Sequence, residues 1–211
     1  MLGFCGHVRT IAFALAALAA PDAHAAYVVT MEETATGVTA EGNGSLDVTA
    51  LTFVGLGSAV PRVAAERALL VLGPLAGEVY HIYSGVTGPA SFGSGGPVPI
   101  DLTGSSSGDV AIIAGEIGNL GVPAFYVSGD PIFPANALWM GETFASLGVT
   151  PGEYVWTWGS GASADSFTLR IEDAVAVFEP ASFALIGTSL LGLAAARRRL
   201  RSWPLAQLNR S

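Results

Sequence analysis

Between residues 26 and 177, apolar residues come in short runs separated by turn-forming residues. No 3.6-residue period lasts long enough for a helix of ordinary length. This pattern points to an all-β fold. Its clearest element is Ser166–Glu172, where Phe167, Leu169 and Ile171 face one way and Ser166, Thr168 and Arg170 face the other. Such alternation marks a half-buried antiparallel strand. Gly152–Trp158 predicts its partner, with GSGASAD (159–165) as the hairpin loop. Upstream strands are predicted at Tyr27–Glu33, Ser45–Phe53, Glu78–Tyr83, Asp109–Ala114 and Ala124–Ser128. Pro61–Leu72 is open to two readings, a helical turn around Ala64–Ala68 and a buried strand at Leu69–Leu72. Glu41-Gly42-Asn43-Gly44-Ser45 reads as a turn, because Asn-Gly tolerates positive φ. Ser91–Pro99 reads as a loop. Residues 129–141, with Pro131, Pro134 and Trp139, read as a long connection. About seven to ten short strands with regular turns suggest an antiparallel β-sandwich, and no internal repeat is evident.

Composition supports that reading. Only 12% of residues are charged, against roughly 25% in an average soluble domain. The chain has 27 glycines and no lysine, unlike a helical cytosolic enzyme with Lys and Glu on its exposed faces. Residues 26–177 carry three arginines (Arg62, Arg67, Arg170) against fifteen Asp and Glu, a formal charge of −12. So acidic a surface excludes nucleic acid as a partner, since that binding needs neutralised phosphates. The acidity reads first as a solubility device, with weak Ca²⁺ binding as the alternative because Ca²⁺ takes oxygen ligands. No other cofactor is expected. The one cysteine, Cys5, lies in the leader described next, so no disulfide or thiol chemistry is expected of the mature protein.

The ends differ from the middle. Arg9 precedes ten apolar residues, Ile11–Ala20, and Ala23-His24-Ala25 forms a small-x-small site. Residues 1–25 therefore read as a secretory signal helix, cut after Ala25 or Ala26 and implying the Sec export machinery as a partner. At the other end, Ala181–Ala196 is free of charge. As a helix it would be about 24 Å long, near the roughly 30 Å of bilayer hydrocarbon. Arginine side chains can snorkel across the difference. Arg197, Arg198, Arg199 and Arg201 would stay cytoplasmic by the positive-inside rule, with residues 202–211 as a short cytoplasmic extension. The resulting order is signal peptide (1–25), β domain (26–177) and a tail (178–201) holding a single transmembrane helix.

That tail reads FEPASFALIGTSLLGLAAARRRLR and closely resembles the PEP-CTERM sorting signal, in which a Pro-Glu-Pro motif, an apolar helix and an arginine cluster follow one another. The resemblance rests on Glu179-Pro180-Ala181-Ser182, on Leu190-Leu191-Gly192-Leu193-Ala194-Ala195 and on Arg197-Arg198-Arg199. Phe178 stands where the first proline is usual, and the chain runs on from Leu200 to Ser211. The middle also resembles, more weakly, the bodies of such proteins, through GVTGPASFGSGG and TPGEYVWTWGSGASADSFTLRI. The resemblance implies recognition and cutting of the tail by an exosortase-like membrane protease in a Gram-negative bacterium that makes exopolysaccharide. The protein would be exported, tethered for a time to the inner membrane, and then passed to the cell surface or the medium.

Several patterns suggest chemistry. Gly104-Ser105-Ser106-Ser107-Gly108 fits the G-x-S-x-G elbow, which needs a strand before it, a helix after it and a histidine downstream. A strand is predicted after it, and His81 lies upstream. Gly159–Ala164 fits G-x-G-x-x-A, but the helix that would hold a phosphate is replaced by a predicted strand. His81 stands alone, and metal sites need clustered ligands; it reads as a strand residue bonded locally. Asn43-Gly44-Ser45 has the form of a glycosylation sequon and reads as a turn. Tyr154, Trp156 and Trp158 share one strand face, which reads as the core face and alternatively as a sugar-stacking platform. Trp139, in the long connection, is the stronger candidate for an exposed aromatic. The expected function is a non-enzymatic envelope or extracellular-matrix protein with a structural or adhesive role. The alternative is a secreted exopolysaccharide-binding module.

Overall fold

The computed structural model describes residues 26–173. The expected signal helix, the sorting motif, the apolar tail helix and the arginine cluster lie outside the described residues. No helix among the described residues is long and apolar enough to cross a membrane.

The domain is all-β. Its strands are β1 (Ala26–Thr34), β2 (Gly37–Ser45), β3 (Thr52–Ala59), β4 (Arg62–Ala64), β5 (Leu69–Leu72), β6 (Glu78–Ser84) and β7 (Ile100–Asp101). They continue with β8 (Ser106–Ser107), β9 (Ala111–Ala114), β10 (Asn119–Pro123), β11 (Pro131–Met140), β12 (Gly152–Trp158) and β13 (Asp165–Ile171). One short helix, α1 (Phe144–Leu147), is capped by Thr143, whose hydroxyl accepts from the Ser146 N–H at 3.1 Å. A six-stranded sheet has the order β12-β13-β1-β2-β11-β8, and a seven-stranded sheet the order β3-β6-β10-β9-β5-β4-β7. Both contribute to one core. Tyr27, Val29, Trp139, Trp156 and Phe167 of the first sheet join Val63, Leu70, Leu72, Ile113 and Val122 of the second.

The sheets are antiparallel with one exception. β1 runs parallel to β13, from Ala26 opposite Ser166 to Met31 opposite Ile171. A parallel pair needs a long crossover, and here the connection is the rest of the domain. β1 also pairs with β2, so the first strand described is internal to its sheet.

Several segments differ from the sequence-based expectation. Residues 129–141 are not a connection but contain β11, the longest strand described. Its prolines sit where no ladder bond is needed. Pro131 opens the strand, and Pro134 falls in the register shift between Ile132 and Ala135. Glu41–Ser45 is likewise strand, not turn. The chain reverses earlier, where Thr34 pairs with Gly37 and the Thr34 hydroxyl donates to the Gly37 carbonyl at 2.8 Å. Gly44 serves β2 differently, at φ +133°. A Cβ there would stand 2.0 Å from the Ala26 carbonyl oxygen.

The strand expected at Ala124–Ser128 is a turn, and β10 lies just before it. Tyr126 holds the turn in place, its hydroxyl accepting from the Leu46 N–H at 2.8 Å. Likewise Ser128 Oγ accepts from the Val48 N–H at 2.9 Å. The paired segment Leu46–Leu51 is therefore irregular, and the strand expected at Ser45–Phe53 starts only at Thr52.

Both readings of Pro61–Leu72 hold in part. β4 and β5 flank a 3₁₀ turn, Ala65–Arg67, closed by Ala68 in the left-handed region (φ 47°). β9 and β10 flank a second such turn, Gly115–Ile117, closed by Gly118 (φ 64°). Because β5 pairs with β9, two hairpins of the same build lie side by side. The segments Ala64-Ala65-Glu66 and Ala114-Gly115-Glu116 share only Ala-x-Glu, too little to read as a repeat.

Candidate functional site

The three tryptophans weighed as possible ligand-facing residues do not face solvent, as the core reading of Trp156 and Trp158 expects. Trp139 and Trp156 are fully buried and Trp158 is 5% exposed. Each indole N–H donates to a backbone carbonyl, Trp139 to Ile100 of β7 at 3.3 Å, and Trp156 and Trp158 to the loop residues Pro89 at 2.8 Å and Asp47 at 2.7 Å. A buried indole needs such a partner, and here the need ties loops to the core. The expectation of an exposed Trp139 is thus corrected. It alternates inward with Ile132, Ala135 and Ala137 along β11, all buried. Tyr154 is half-buried. Its ring meets Phe92 edge-on at 6.0 Å and its hydroxyl donates to the Thr150 carbonyl at 3.0 Å. Burial raises its pKa above the ordinary tyrosine value.

The other patterns are also placed. Ser106, the central serine of G-x-S-x-G, pairs with Ala137 in β8. Its hydroxyl is buried without a partner. His81, the one histidine among the described residues, sits on β6 of the other sheet. It is flanked by Phe53 and Phe125 at ring distances of 5.3 and 6.0 Å. No serine–histidine pair forms an elbow. Gly161–Ser163 is a single 3₁₀ turn leading into β13, so no helix follows the G-x-G-x-x-A stretch. Among the described residues no group of three or more His, Cys, Asp or Glu converges as a metal site. Of the expected cleavage residues, Ala26 is the exposed first residue of β1; Ala23 and Ala25 lie outside the described residues. So do Phe178–Ser182 and Arg197–Arg201.

A concave site lies elsewhere, on the face of the seven-stranded sheet turned away from the shared core. Cross-strand pairing puts Arg62, Val71, Ile112, Gly121 and Ile82 in one row over five strands. An outward face of such a sheet ordinarily alternates to polar residues. Here Val71, Val110 and Ile112 form a small buried cluster of their own, joined by Leu69 and Tyr80. Gly121 interrupts the row. A Cβ there would stand 2.9 Å from Ile112 Cβ and 3.0 Å from Tyr80 Cδ2. The Tyr80 ring lies across β3, and a Cβ on Gly57 would stand 2.5 Å from its Cζ. The result is a cleft of about 340 Å³, within the size range of small-molecule sites.

Charge gathers at the rim. Arg62 and Arg67, two of the three arginines described, both line the cleft. Arg67 Nε donates to Glu116 Oε2 at 2.8 Å, a contact that bridges the two 3₁₀ turns. Arg62 Nε donates to the Val60 carbonyl at 3.2 Å and lies 3.6 Å from Asp101. Burial raises the Tyr80 pKa, and the nearby Arg62 charge partly opposes that rise. Comparison with protein families, curated proteins and solved structures finds no match to this chain.

Proposed function

We propose that this is an exported, non-enzymatic protein of the Gram-negative envelope or extracellular matrix. A leader directs it through the Sec machinery, and an exosortase-like protease sorts it through its tail. The two-sheet domain is read as a β-sandwich with a structural or adhesive role. The tail tethers it to the inner membrane until cleavage passes it to the surface or the medium.

One observation carries this reading. The leader, the domain and the motif–apolar–arginine tail read in that order along the sequence, with the expected cuts at the margins of the sheets. β1 starts at Ala26, next to the expected signal cleavage, and β13 ends at Ile171, before the motif at Phe178. A leader cut after Ala25 and a tail cut near the motif would leave every strand whole, and a leader cut after Ala26 would remove only the first residue of β1. The burial of Trp139, Trp156 and Trp158 favours this reading over a sugar platform built on that row.

The test compares release into the medium for the full chain and two variants in a host with an exosortase. Phe178→Pro should be released at least as well as the parent, and Glu179→Ala should stay with the membrane. Equal release of the Glu179 variant, or release without the protease, would count against the proposal.

A further inference from the structure

We propose that the cleft beneath Arg62, Arg67 and Tyr80 binds a carboxylate-bearing sugar ring, the chemistry of a uronic-acid unit in an acidic oligosaccharide. The proposal concerns the domain alone and does not depend on the fate of the tail.

The local placement of positive charge is the first support, against an overall acidity that disfavours anions elsewhere on the domain. A domain of formal charge −12 holds two of its three arginines at one cleft. Each uses its Nε toward protein, and the terminal amino groups of both have no protein acceptor among the described residues. A guanidinium with free terminal nitrogens is shaped to take a carboxylate in a two-pronged contact. The protein carboxylates engage only the Nε edge of each arginine: Glu116 accepts from Arg67 Nε at 2.8 Å, and Asp101, 65% exposed, lies 3.6 Å from Arg62 Nε. Arg67 and Glu116 are half exposed, at 45% and 47%, and exposed pairs contribute little.

The second support is the mixed lining. A pyranose has apolar C–H faces and a polar hydroxyl rim. The cleft floor is apolar (Val71, Ile112), and the Tyr80 ring forms one side. Around it stand the polar side chains of Ser58 and Asn119 and the Tyr80 hydroxyl. These groups can meet sugar hydroxyls while the floor meets the ring. Gly121 leaves the depression open, where any side chain would fill it.

The experiment is calorimetric titration of the full chain with a short oligogalacturonate, against a neutral cello-oligosaccharide of the same length. Arg62→Gln and Arg67→Gln are run alongside, with circular dichroism to establish that each variant folds. The oligogalacturonate should bind, and the neutral sugar should bind about tenfold or more weakly, because charge-assisted hydrogen bonds are lost. Each Gln variant should weaken the acidic ligand by a similar factor and leave the neutral one unchanged. Equal affinity for both sugars, no binding of the oligogalacturonate, or wild-type binding by both folded Gln variants would overturn the proposal.

Discussion

The indole N–H of Trp158 donates to the carbonyl of Asp47 at 2.7 Å, joining two residues 111 positions apart. The same aspartate organises its own loop. Its Oδ1 accepts from the Thr49 N–H and from the Ser128 hydroxyl. Trp156 and Pro89 repeat the arrangement 67 positions apart. The aromatic row of β12 thus does its work inward.

Trp156→Phe should therefore be costly although it keeps an aromatic ring. It leaves the Pro89 carbonyl without its donor and part of the ring volume empty. We expect a loss of about 2–4 kcal/mol, read by equilibrium denaturation. Val155→Ala, on the opposite face of the same strand and 37% exposed, should cost about 0.5 kcal/mol or less. Similar costs for the two would contradict the inward role.

Tyr27→Phe should stabilise. The Tyr27 hydroxyl is fully buried and has no hydrogen-bond partner, and such a group costs about 1–3 kcal/mol. Removing it should recover roughly 1 kcal/mol at neutral pH. The alkaline limb should change too. Burial, and then the Asp109 charge, hold the Tyr27 pKa well above the ordinary value. A raised folded pKa gives stability that is complete below the unfolded pKa of about 10 and is lost as pH rises through the folded value. Stability measured from pH 8 to 11 should fall less in the phenylalanine variant.

Asp47 predicts the acid limb. The Thr49 hydroxyl, then the Thr49 N–H and the Ser128 hydroxyl, lower its pKa against a smaller opposing effect of burial. A lowered folded pKa gives stability that is present above the unfolded pKa, near 3.9, and is lost as pH falls through the folded value. Thr49→Val removes the leading cause. The midpoint of acid unfolding should move to higher pH, a shift read by circular dichroism.

Gly44→Ala tests the close approach of β2 to β1. At φ +133° a Cβ would stand 2.0 Å from the Ala26 carbonyl oxygen, so the strand must shift. The strained conformation alone costs about 1–3 kcal/mol. Gly96→Ala, with open space around the position, is the control and should change stability by about 0.5 kcal/mol or less.

Much of the fold was legible where alternation is undisturbed. β1, β12 and β13 match their predicted limits within two residues, because inward and outward residues there differ plainly in polarity. β2 was hidden by Gly42-Asn43-Gly44, a turn signature whose glycines instead accept the Tyr27 ring and the Ala26 carbonyl. β11 was hidden by Pro131 and Pro134, tolerated at a strand start and a bulge. The cleft had no local signal. Arg62, Val71, Ile112, Gly121 and Ile82 are unremarkable in their own segments and meet only through strand register. A hint lay in the charge, since two of the three arginines between residues 26 and 177 stand five positions apart.

Sorting by processing at both ends is tested most directly by the intact mass of the released protein. The full chain would be produced in two otherwise identical hosts, one with an exosortase and one without. The account predicts a species in the medium that lacks the leader up to Ala25 or Ala26 and lacks the tail from near Glu179-Pro180, and only where the protease is present. A protein that keeps residues 183–211 in both hosts would contradict it.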